Sequence, residues 1–311
     1  MTRKLGLTSM MEVKKMSEKW TPKNLDKQVR EILTNSGYDV DELIQNKDKH
    51  YRVFSIPKRD GSKRMITAPD KKMKCALNCV KGILEMVGPF PSPYAHGFKR
   101  RRSPITNAKV HQIAGAKAMV IMDLKNFFPS ISQERITALY GPLVGELCTF
   151  HGRAGQGLPT SPWISNVVLV RMDYEIANWC NKQSPKTTYT RYADDITISC
   201  VSKDVDLGHI KSIVRRIIRR HGFEIKPQKT RMQRPHRRMM VTGVVINEKV
   251  GVSRTYRRNV RAAIHQLQFK ENVDPKEIEK LKGKISWIYS ANHDQGVKLS
   301  KQLDEYITRQ S

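Results

Sequence analysis

Two adjacent aspartates, Asp194 and Asp195, stand between two short runs of alternating apolar and polar residues in the stretch TTYTRYADDITISC. This alternation predicts two β-strands joined by a tight turn, with the acids at its tip. Two like charges about 4 Å apart repel by roughly 4 kcal/mol at an effective dielectric constant near 20. A fold that keeps this pair therefore needs a compensating positive charge.

A third carboxylate, Asp123, lies in the apolar run AMVIMDL, which predicts a short buried strand over residues 118–124. If this strand neighbours the hairpin, three acids converge at one end of a sheet, and at least one is driven towards protonation unless a cation is bound. Two Mg²⁺ ions about 3.5–4 Å apart would turn this repulsion into attraction and would serve an in-line phosphoryl displacement. The alternative is that the aspartates only form a turn, as this residue often does.

The chain carries 57 Lys and Arg against 29 Asp and Glu, a formal net charge of +28 over 311 residues. A surplus of this size favours a polyanionic partner. No run approaches the ~18 apolar residues of a membrane span, and the first residues lack the apolar segment of a signal peptide. We therefore expect nucleic acid rather than a membrane, and a cytoplasmic location. The odd, scattered set of cysteines fits a reducing compartment, with Cys75 and Cys79 predicted to be buried thiols rather than zinc ligands.

Predicted strands and helices are mixed along the chain, which favours an α+β fold. Asp60-Gly61 predicts the turn of a hairpin that follows residue 51, and VDLGHIKSIVRRIIRRHGF predicts a basic helix ended by Gly222. Ser161 is predicted to cap a helix after the loop GQGLPTS. The run RMMVTGVVI is predicted to form a strand, and residues 253–311 to be helical.

Four motifs in order resemble those of reverse transcriptases. YADD at 192–195 resembles the family's YxDD, and MDLKNFFPS resembles its first palm motif, with Asp123 as the metal aspartate. QGLPTSPWISN is similar to QGxPxSPxxxN, and GFEIKPQKT resembles the next palm motif, which contains Lys229. Two further matches indicate the retron branch of this family. NAKVH at 107–111 fits the NAxxH signature of retron reverse transcriptases, and residues 241–243 fit their VTG signature.

The resemblance implies a right-hand polymerase of fingers, palm and thumb, in which the palm is an antiparallel sheet backed by helices and the thumb is helical. Residues 1–50 would extend the fingers as helices, 51–118 would form the fingers, 119–240 the palm with fingers helices near 131–155, and 241–311 the thumb. The activity would be the copying of a structured noncoding RNA (msr–msd) from dNTP substrates into branched msDNA, primed from an RNA 2′-hydroxyl. Such systems typically serve anti-phage defence with a separate effector protein, which is therefore an expected partner.

The resemblance also assigns the catalytic residues. Asp123, Asp194 and Asp195 would hold the two Mg²⁺ ions, to which Leu124 would add a backbone carbonyl. Lys229 would protonate the pyrophosphate leaving group or, alternatively, contact a backbone phosphate.

Nucleotide contacts are assigned in the same way. Phe128 matches the aromatic gate that excludes a 2′-hydroxyl, although it is alternatively a core residue. Gln156 and Gly157 would let the backbone approach the nucleotide, or would simply connect a loop to a helix. Among the cations of the first hairpin, Lys58 and Arg64 are the preferred clamps for the triphosphate.

The remaining residues concern RNA and the family signature. Asn107 and His111 would seat the RNA or brace the fold, and they are not assigned a catalytic role. The start of the thumb should follow RNA phosphates through a cluster of arginines after Val241, Thr242 and Gly243, namely Arg254, Arg257, Arg258 and Arg261.

Two other interpretations remain open. One is another bacterial reverse transcriptase, of the intron or diversity-generating type, which the NAxxH and VTG matches disfavour. The other is a non-catalytic RNA-binding scaffold, which has no need for three mutually repelling acids.

Overall fold

The computed structural model describes residues 21–58, 61–236, 238–270 and 272–310. Asp60 of the predicted hairpin turn and residues 1–20 of the predicted fingers extension lie outside this range. The α-helices are α1 Pro22–Asn35, α2 Val40–Gln45, α3 Lys71–Val87, α4 Pro104–Ile113, α5 Gln133–Tyr140, α6 Pro142–Leu147, α7 Ser161–Val168, α8 Val170–Asn181, α9 Leu207–Arg220, α10 Arg254–Leu267, α11 Pro275–Ala291 and α12 His293–Gln310. The strands are β1 Tyr51–Pro57, β2 Lys63–Pro69, β3 Ala118–Asp123, β4 Thr187–Tyr192, β5 Asp195–Cys200, β6 Arg231–Gln233, β7 Met240–Val241 and β8 Val244–Val245.

The chain divides into two compact units, each assembled from separate stretches. Unit 1 contains the described residues up to Phe98 together with Leu124–Ile176 and Arg215–Lys226. Unit 2 contains Lys99–Asp123, Ala177–Val214 and the described residues from Pro227 onward. The limits of fingers, palm and thumb given above stay predictions.

The main sheet of unit 2 has the strand order β4-β5-β3-β6, with antiparallel neighbours. Every residue of β3 is buried, because this apolar strand is central in the sheet. The edge strand β6 is short and begins with exposed Arg231, and both features discourage pairing with another chain. The predicted strand ending at Asp123 and the predicted hairpin around the acid pair are both present.

The rest of unit 2 is mainly helical, as predicted for residues 253–311. Apolar residues of α10, α11 and α12 share one core with the β7–β8 hairpin, including Val260, Ile285, Leu303 and Val241. The prediction of one continuous strand over RMMVTGVVI was wrong. The chain reverses between β7 and β8, where Val241 pairs with Val244 across a two-residue turn.

Unit 1 contains the β1–β2 hairpin and helices that bury one face each. Helix α3 is capped by Asp70, whose side chain accepts a hydrogen bond from the Met73 backbone N–H. The prediction that Cys75 is buried was wrong: Cys75 is exposed and Cys79 half-buried, because the buried stripe of α3 runs through other positions. All five cysteines of the chain are free thiols.

The predicted cap of α7 is also wrong by one residue. The helix begins at Ser161 itself, and Thr160 occupies the N-cap position without a side-chain capping bond. The Ser161 hydroxyl instead donates a 2.8 Å hydrogen bond to the carbonyl oxygen of Gly155, which closes the preceding loop.

Candidate active site

The acid pair lies at a two-residue turn in unit 2. Tyr192 pairs with Asp195 at the end of the β4–β5 ladder, so Ala193 and Asp194 form the connection. Ala193 has a φ of +54°, and the left-handed backbone costs an alanine about 1–2 kcal/mol. Such strained positions tend to persist where the surrounding structure fixes them, and they cluster at functional sites.

Asp123 and Asp195 face each other directly across the β3–β5 ladder. Directly opposed residues of an antiparallel pair have Cβ atoms about 4.5–5.5 Å apart, and like charges at such positions are destabilising. The predicted convergence of the strand-ending acid with the hairpin acids is therefore present within one unit.

Electrostatics at this cluster follow from its geometry. The pKa of Asp195 is raised to about 6, first by burial and then by the negative charges of Asp194 and Asp123. Lys229 and Arg231 act in the opposite direction and lower it. The balance leaves excess negative charge that a cation would relieve.

Lys229 provides part of the positive charge. Its Nζ donates a 2.6 Å hydrogen bond to Oδ2 of Asp123, whose side chain is only 8% exposed. The pKa of Lys229 is raised, chiefly by this hydrogen bond and then by the charges of Asp123 and its two neighbouring acids. The ammonium is therefore held in its charged form against the acid cluster.

Arg191 is a residue of this site that sequence reasoning missed. Its side chain is fully buried, and Nη1 donates a 3.0 Å hydrogen bond to the carbonyl oxygen of Ala193 in the turn. A buried guanidinium inside a strand normally has such a specific role, because desolvating it without partners is costly. The sequence contained one indication of this burial. Side chains two positions apart in a strand share a face, so Arg191 lies on the same face of β4 as buried Tyr189.

The NAxxH residues lie on α4, beneath the acid hairpin. His111 is fully buried, and its two ring nitrogens lie 2.7 Å from the hydroxyl oxygens of Thr190 on β4 and Ser199 on β5. His111 thus links α4 to both strands of the hairpin. Asn107 is also fully buried, and within the described chain its amide oxygen and nitrogen have no hydrogen-bond partner.

The VTG residues form the turn between β7 and β8. Thr242 and Gly243 have φ values of +47° and +82°, as both central residues of a type I′ hairpin turn require. The Thr242 hydroxyl donates a 3.1 Å hydrogen bond to the carbonyl oxygen of Pro104, the first residue of α4. The turn that carries the VTG signature is therefore bonded to the first residue of the helix that carries the NAxxH signature, about 130 residues away in sequence.

The arginines predicted to follow RNA phosphates lie on α10, whose N-terminus is capped by the Ser253 side chain. Arg254, Arg258 and Arg261 are exposed and spaced so that they share the face opposite the buried stripe. Arg257 is half-buried, and its Nε is unpaired within the described residues.

In unit 1, the predicted nucleotide loop rests on the β1–β2 hairpin. The carbonyl oxygen of Gln156 accepts a 2.8 Å hydrogen bond from the backbone N–H of Thr67. Gly157 has a φ of +121°, and a Cβ at this position would lie 2.5 Å from the Thr67 carbonyl oxygen. Lys58 and Arg64 lie towards the turn of the same hairpin, half-buried and exposed respectively.

Phe128, the predicted sugar gate, is half-buried in unit 1, whereas its neighbour Phe127 is buried. The Phe128 ring centroid lies 5.0 Å from that of Phe127 and 6.0 Å from that of exposed Phe98. Leu124, the predicted carbonyl ligand, is buried and forms a bridge with Ile225.

The acid cluster has the chemistry of a site for a hard cation. Three carboxylates supply the oxygen ligands that Mg²⁺ prefers. Burial, together with the charges of Asp194 and Asp123, raises the pKa of Asp195, and a bound cation would favour its ionised form. Among the residues the structure describes, no group of three or more His, Cys, Asp or Glu side chains is already arranged to hold a metal ion. One Asp123 oxygen is instead bonded to Lys229.

The described helices include none with both the length and the apolar character for crossing a bilayer.

Comparison with known proteins gives a family match and several relatives. Residues 56–246 match the family model described as reverse transcriptase (RNA-dependent DNA polymerase). The chain is 34% identical to the Retron Mx65 reverse transcriptase of Myxococcus xanthus, over 82% of this chain and 64% of that protein. It is 33% identical to the Retron Mx162 reverse transcriptase of the same organism, over 82% of this chain and 61% of that protein.

A third relative is covered more fully. The Retron Ec86 reverse transcriptase of Escherichia coli is 30% identical, over 86% of this chain and 83% of that protein. By contrast, the chain spans less than two thirds of the length of each of the two Myxococcus relatives. Among solved structures, apo telomerase from Candida Tropicalis aligns with 81% of this chain and 58% of its own, at 12% identity and a TM-score of 0.48, a similarity too distant to bear on function.

Proposed function

We propose, from the premise that this chain belongs to the retron branch of the reverse transcriptase family, that it is an RNA-directed DNA polymerase. Its fold is accordingly the fingers, palm and thumb fold of polymerases. The observation that carries the proposal is the direct opposition of Asp123 and Asp195, with Asp194 beside them at the hairpin turn. A protein that only bound RNA would bear the cost of this repulsion without using it.

Reverse transcriptases are metal-dependent polymerases, and we assign two Mg²⁺ ions to this chain. Asp123, Asp194 and Asp195 would hold them, together with the backbone carbonyl of Leu124, the residue that follows Asp123. When bound, such ions activate the attacking oxygen, stabilise the leaving oxygen and neutralise the phosphates. The raised pKa of Asp195 supports this assignment, because a cation would stabilise its ionised form.

The chain's own residues supply the remaining parts. The Lys229 ammonium holds a proton at Nζ, stabilised by Asp123, and this proton can neutralise the pyrophosphate as it leaves. Arg191 fixes the carbonyl of Ala193 and so keeps the acid turn in its strained backbone. His111 holds both strands that carry the turn.

Nucleotide binding is assigned to residues of unit 1. The Phe128 ring would exclude a 2′-hydroxyl and so select deoxynucleotides. The close approach of Gly157 to β2 supports a loop whose backbone contacts the nucleotide, and the Gln156 Oε1 atom, buried without a described partner, is available for a ligand. Lys58 and Arg64 would bind the triphosphate.

The template would be a structured noncoding RNA of the msr–msd type, copied into msDNA from an RNA 2′-hydroxyl primer. The net charge of +28 and the exposed arginines of α10 support binding to such a polyanion. The hydrogen bond from Thr242 of the signature at 241–243 to Pro104, at the start of the helix that carries the signature at 107–111, supports the retron assignment. We also assign the chain to an anti-phage system with a separate effector protein, on the resemblance alone.

The experiment is primer extension by the purified protein on an RNA template with Mg²⁺ and dNTPs. We expect DNA synthesis that Asp194→Asn abolishes and Asp294→Asn preserves, since the Asp294 side chain is 91% exposed and lies on α12. Absence of DNA synthesis by the unmodified protein would favour the non-catalytic scaffold. Full activity of Asp194→Asn would show that the acid cluster is not the catalytic site.

The retron assignment has its own test. Nucleic acid that copurifies with the protein is sequenced and mapped to the DNA beside the gene. A branched RNA–DNA molecule from a short adjacent gene with inverted repeats is expected. A large self-splicing intron would instead identify an intron-type enzyme.

A further inference from the structure

Phe98 is an exposed aromatic residue whose ring contacts the predicted sugar gate. The residue is 48% exposed, and its ring centroid lies 6.0 Å from that of Phe128, with the ring planes inclined at 38°. Phe127 contacts the Phe128 ring from its own buried position, at 5.0 Å. The gate ring is therefore flanked by one aromatic ring from the core and one from the surface.

The loop that presents Phe98 is fixed at two points by buried hydrogen bonds. The Asn166 side chain, fully buried in α7, donates a 2.8 Å hydrogen bond from Nδ2 to the carbonyl oxygen of Gly97. Earlier in the loop, the Ser92 hydroxyl donates a 2.5 Å hydrogen bond to Oδ2 of buried Asp173. Asn166 is the last residue of the QGxPxSPxxxN motif, so this motif fixes the position of Phe98 as well as forming the nucleotide loop.

The backbone of Phe98 is strained. Its φ of +58° lies in the left-handed region, where a bulky L-residue is unfavourable and glycine is not. Half-exposure means that the ring contributes little to the core, so burial does not account for keeping a phenylalanine there. Among the described residues, the ring that Phe98 contacts in this conformation is that of Phe128.

We propose that Phe98 is a positioning residue that braces the Phe128 ring, so that Phe128 cannot move aside for a ribonucleotide. The inference rests on the proposed polymerase function and on the role of Phe128 as sugar gate. Phe98 itself need not touch the nucleotide. Its loss gives Phe128 room to move, so the rejection of a 2′-hydroxyl weakens while deoxynucleotide addition continues.

The test is single-nucleotide incorporation on a DNA primer annealed to an RNA template, with kcat and KM measured for a dNTP and for the matching rNTP. Phe98→Gly removes the ring and relieves the left-handed strain, so the loop keeps its backbone. We expect the dNTP-over-rNTP preference to fall by about three- to tenfold, the size of one lost aromatic contact. The change should come from a lower KM for the rNTP, with kcat for the dNTP unaltered.

Two further variants distinguish bracing from a structural role. Phe98→Tyr keeps the ring and should retain the full preference for dNTPs. Phe90→Ala is the matched control, because Phe90 lies on the same loop, is 59% exposed and contacts Trp163 rather than Phe128. Phe98→Leu, which keeps apolar volume without a flat ring, repeats the test if the glycine variant is unstable in a thermal melt.

The results of these experiments distinguish failure of the bracing role of Phe98 from failure of the proposed polymerase function or of the sugar gate. Combined with Phe128→Ala, the Phe98→Gly change should add nothing, because the braced ring is already gone. An unchanged preference in Phe98→Gly, alongside a lowered one in Phe128→Ala, overturns the inference and leaves the polymerase proposal intact. No DNA synthesis by the unmodified protein, or an unchanged preference in Phe128→Ala, overturns the function or the gate and the inference with it.

Discussion

Lys229 donates a 2.6 Å hydrogen bond from Nζ to Oδ2 of Asp123, the acid that faces Asp195 across the sheet. We expect Lys229→Ala to lower the free energy of unfolding of the protein in EDTA by about 1 kcal/mol, a modest value because the Lys229 side chain is 46% exposed. Urea denaturation measures this effect. Added Mg²⁺ should raise the stability of the variant more than that of the parent, since a bound cation would replace the missing charge.

Lys270→Ala is the control for this prediction. Lys270 forms a 2.7 Å pair with Glu277 and its side chain is 43% exposed, but no further acid adjoins that pair in the described contacts. The decrease in the free energy of unfolding of Lys270→Ala should be smaller than that of Lys229→Ala, and it should not depend on Mg²⁺. Equal losses in the two variants would show that Lys229 forms only an ordinary surface pair.

The raised pKa of Asp195 predicts how stability depends on pH in the absence of metal. Between its ordinary value of 3.8 and the folded value of about 6, the folded protein binds a proton that the unfolded chain has released. Asp195 should therefore add stability as the pH falls through 6, and this contribution should be lost as the pH rises above 6. The full difference is about 2–3 kcal/mol.

The measurement compares the parent with Asp195→Asn in EDTA from pH 4.5 to 7.5. The variant should be the more stable protein at pH 7.5, and the two curves should approach each other at acid pH. Parallel curves would mean that Asp195 titrates normally in the folded state.

Buried His111 should be important for stability through its two hydroxyl partners. His111→Leu removes both 2.7 Å hydrogen bonds, and we expect the free energy of unfolding to fall by about 2–4 kcal/mol. A double-mutant cycle with Thr190→Val should show coupling of about 1 kcal/mol, because the second change then removes a hydroxyl that has already lost this partner. Additive losses would contradict the link, and His293→Leu, with a side chain 66% exposed, is the near-neutral control.

The acid cluster could be predicted from sequence because each acid lies at the end of a strand with a clear apolar or alternating pattern, or in the turn beside one. The hydroxyl partners of His111 could not be predicted, because they lie 79 and 88 residues away in sequence. Only the folded sheet brings them to α4. Arg191 was missed for the opposite reason: its position in β4 was predictable, but arginine is seldom buried.

The errors have local causes. The β-branched residues around Thr242 favour a strand, and a threonine at positive φ is rare, so the turn signal of Gly243 was outweighed. Cys75 was placed in the core although the buried stripe of α3 passes through Met73, Ala76 and Leu77. The 3.6-residue period of the helix already indicated that Cys75 lies on its exposed face.

Gly243 allows a direct test of the β7–β8 turn. Its φ is +82° and no atom lies within 4 Å of an added Cβ, so Gly243→Ala should cost only the left-handed backbone strain, about 1–2 kcal/mol. Gly251→Ala is the matched control, because Gly251 also has open space but lacks a positive φ. Thermal unfolding compares the two, and equal losses would show that the turn does not need glycine.

Gly157 should be sensitive to substitution for a steric reason. A Cβ at this position would lie 2.5 Å from the backbone carbonyl oxygen of Thr67, which cannot rotate away as a side chain can. Gly157→Ala should therefore push the loop off β2, lower the free energy of unfolding by about 2–3 kcal/mol and raise the KM for dNTPs. Gly152→Ala shares the positive φ, at +73°, but meets no atom within 4 Å. It should lose about 1 kcal/mol from backbone strain and leave KM unchanged, whereas a raised KM in both variants would attribute the effect to strain rather than to contact with β2.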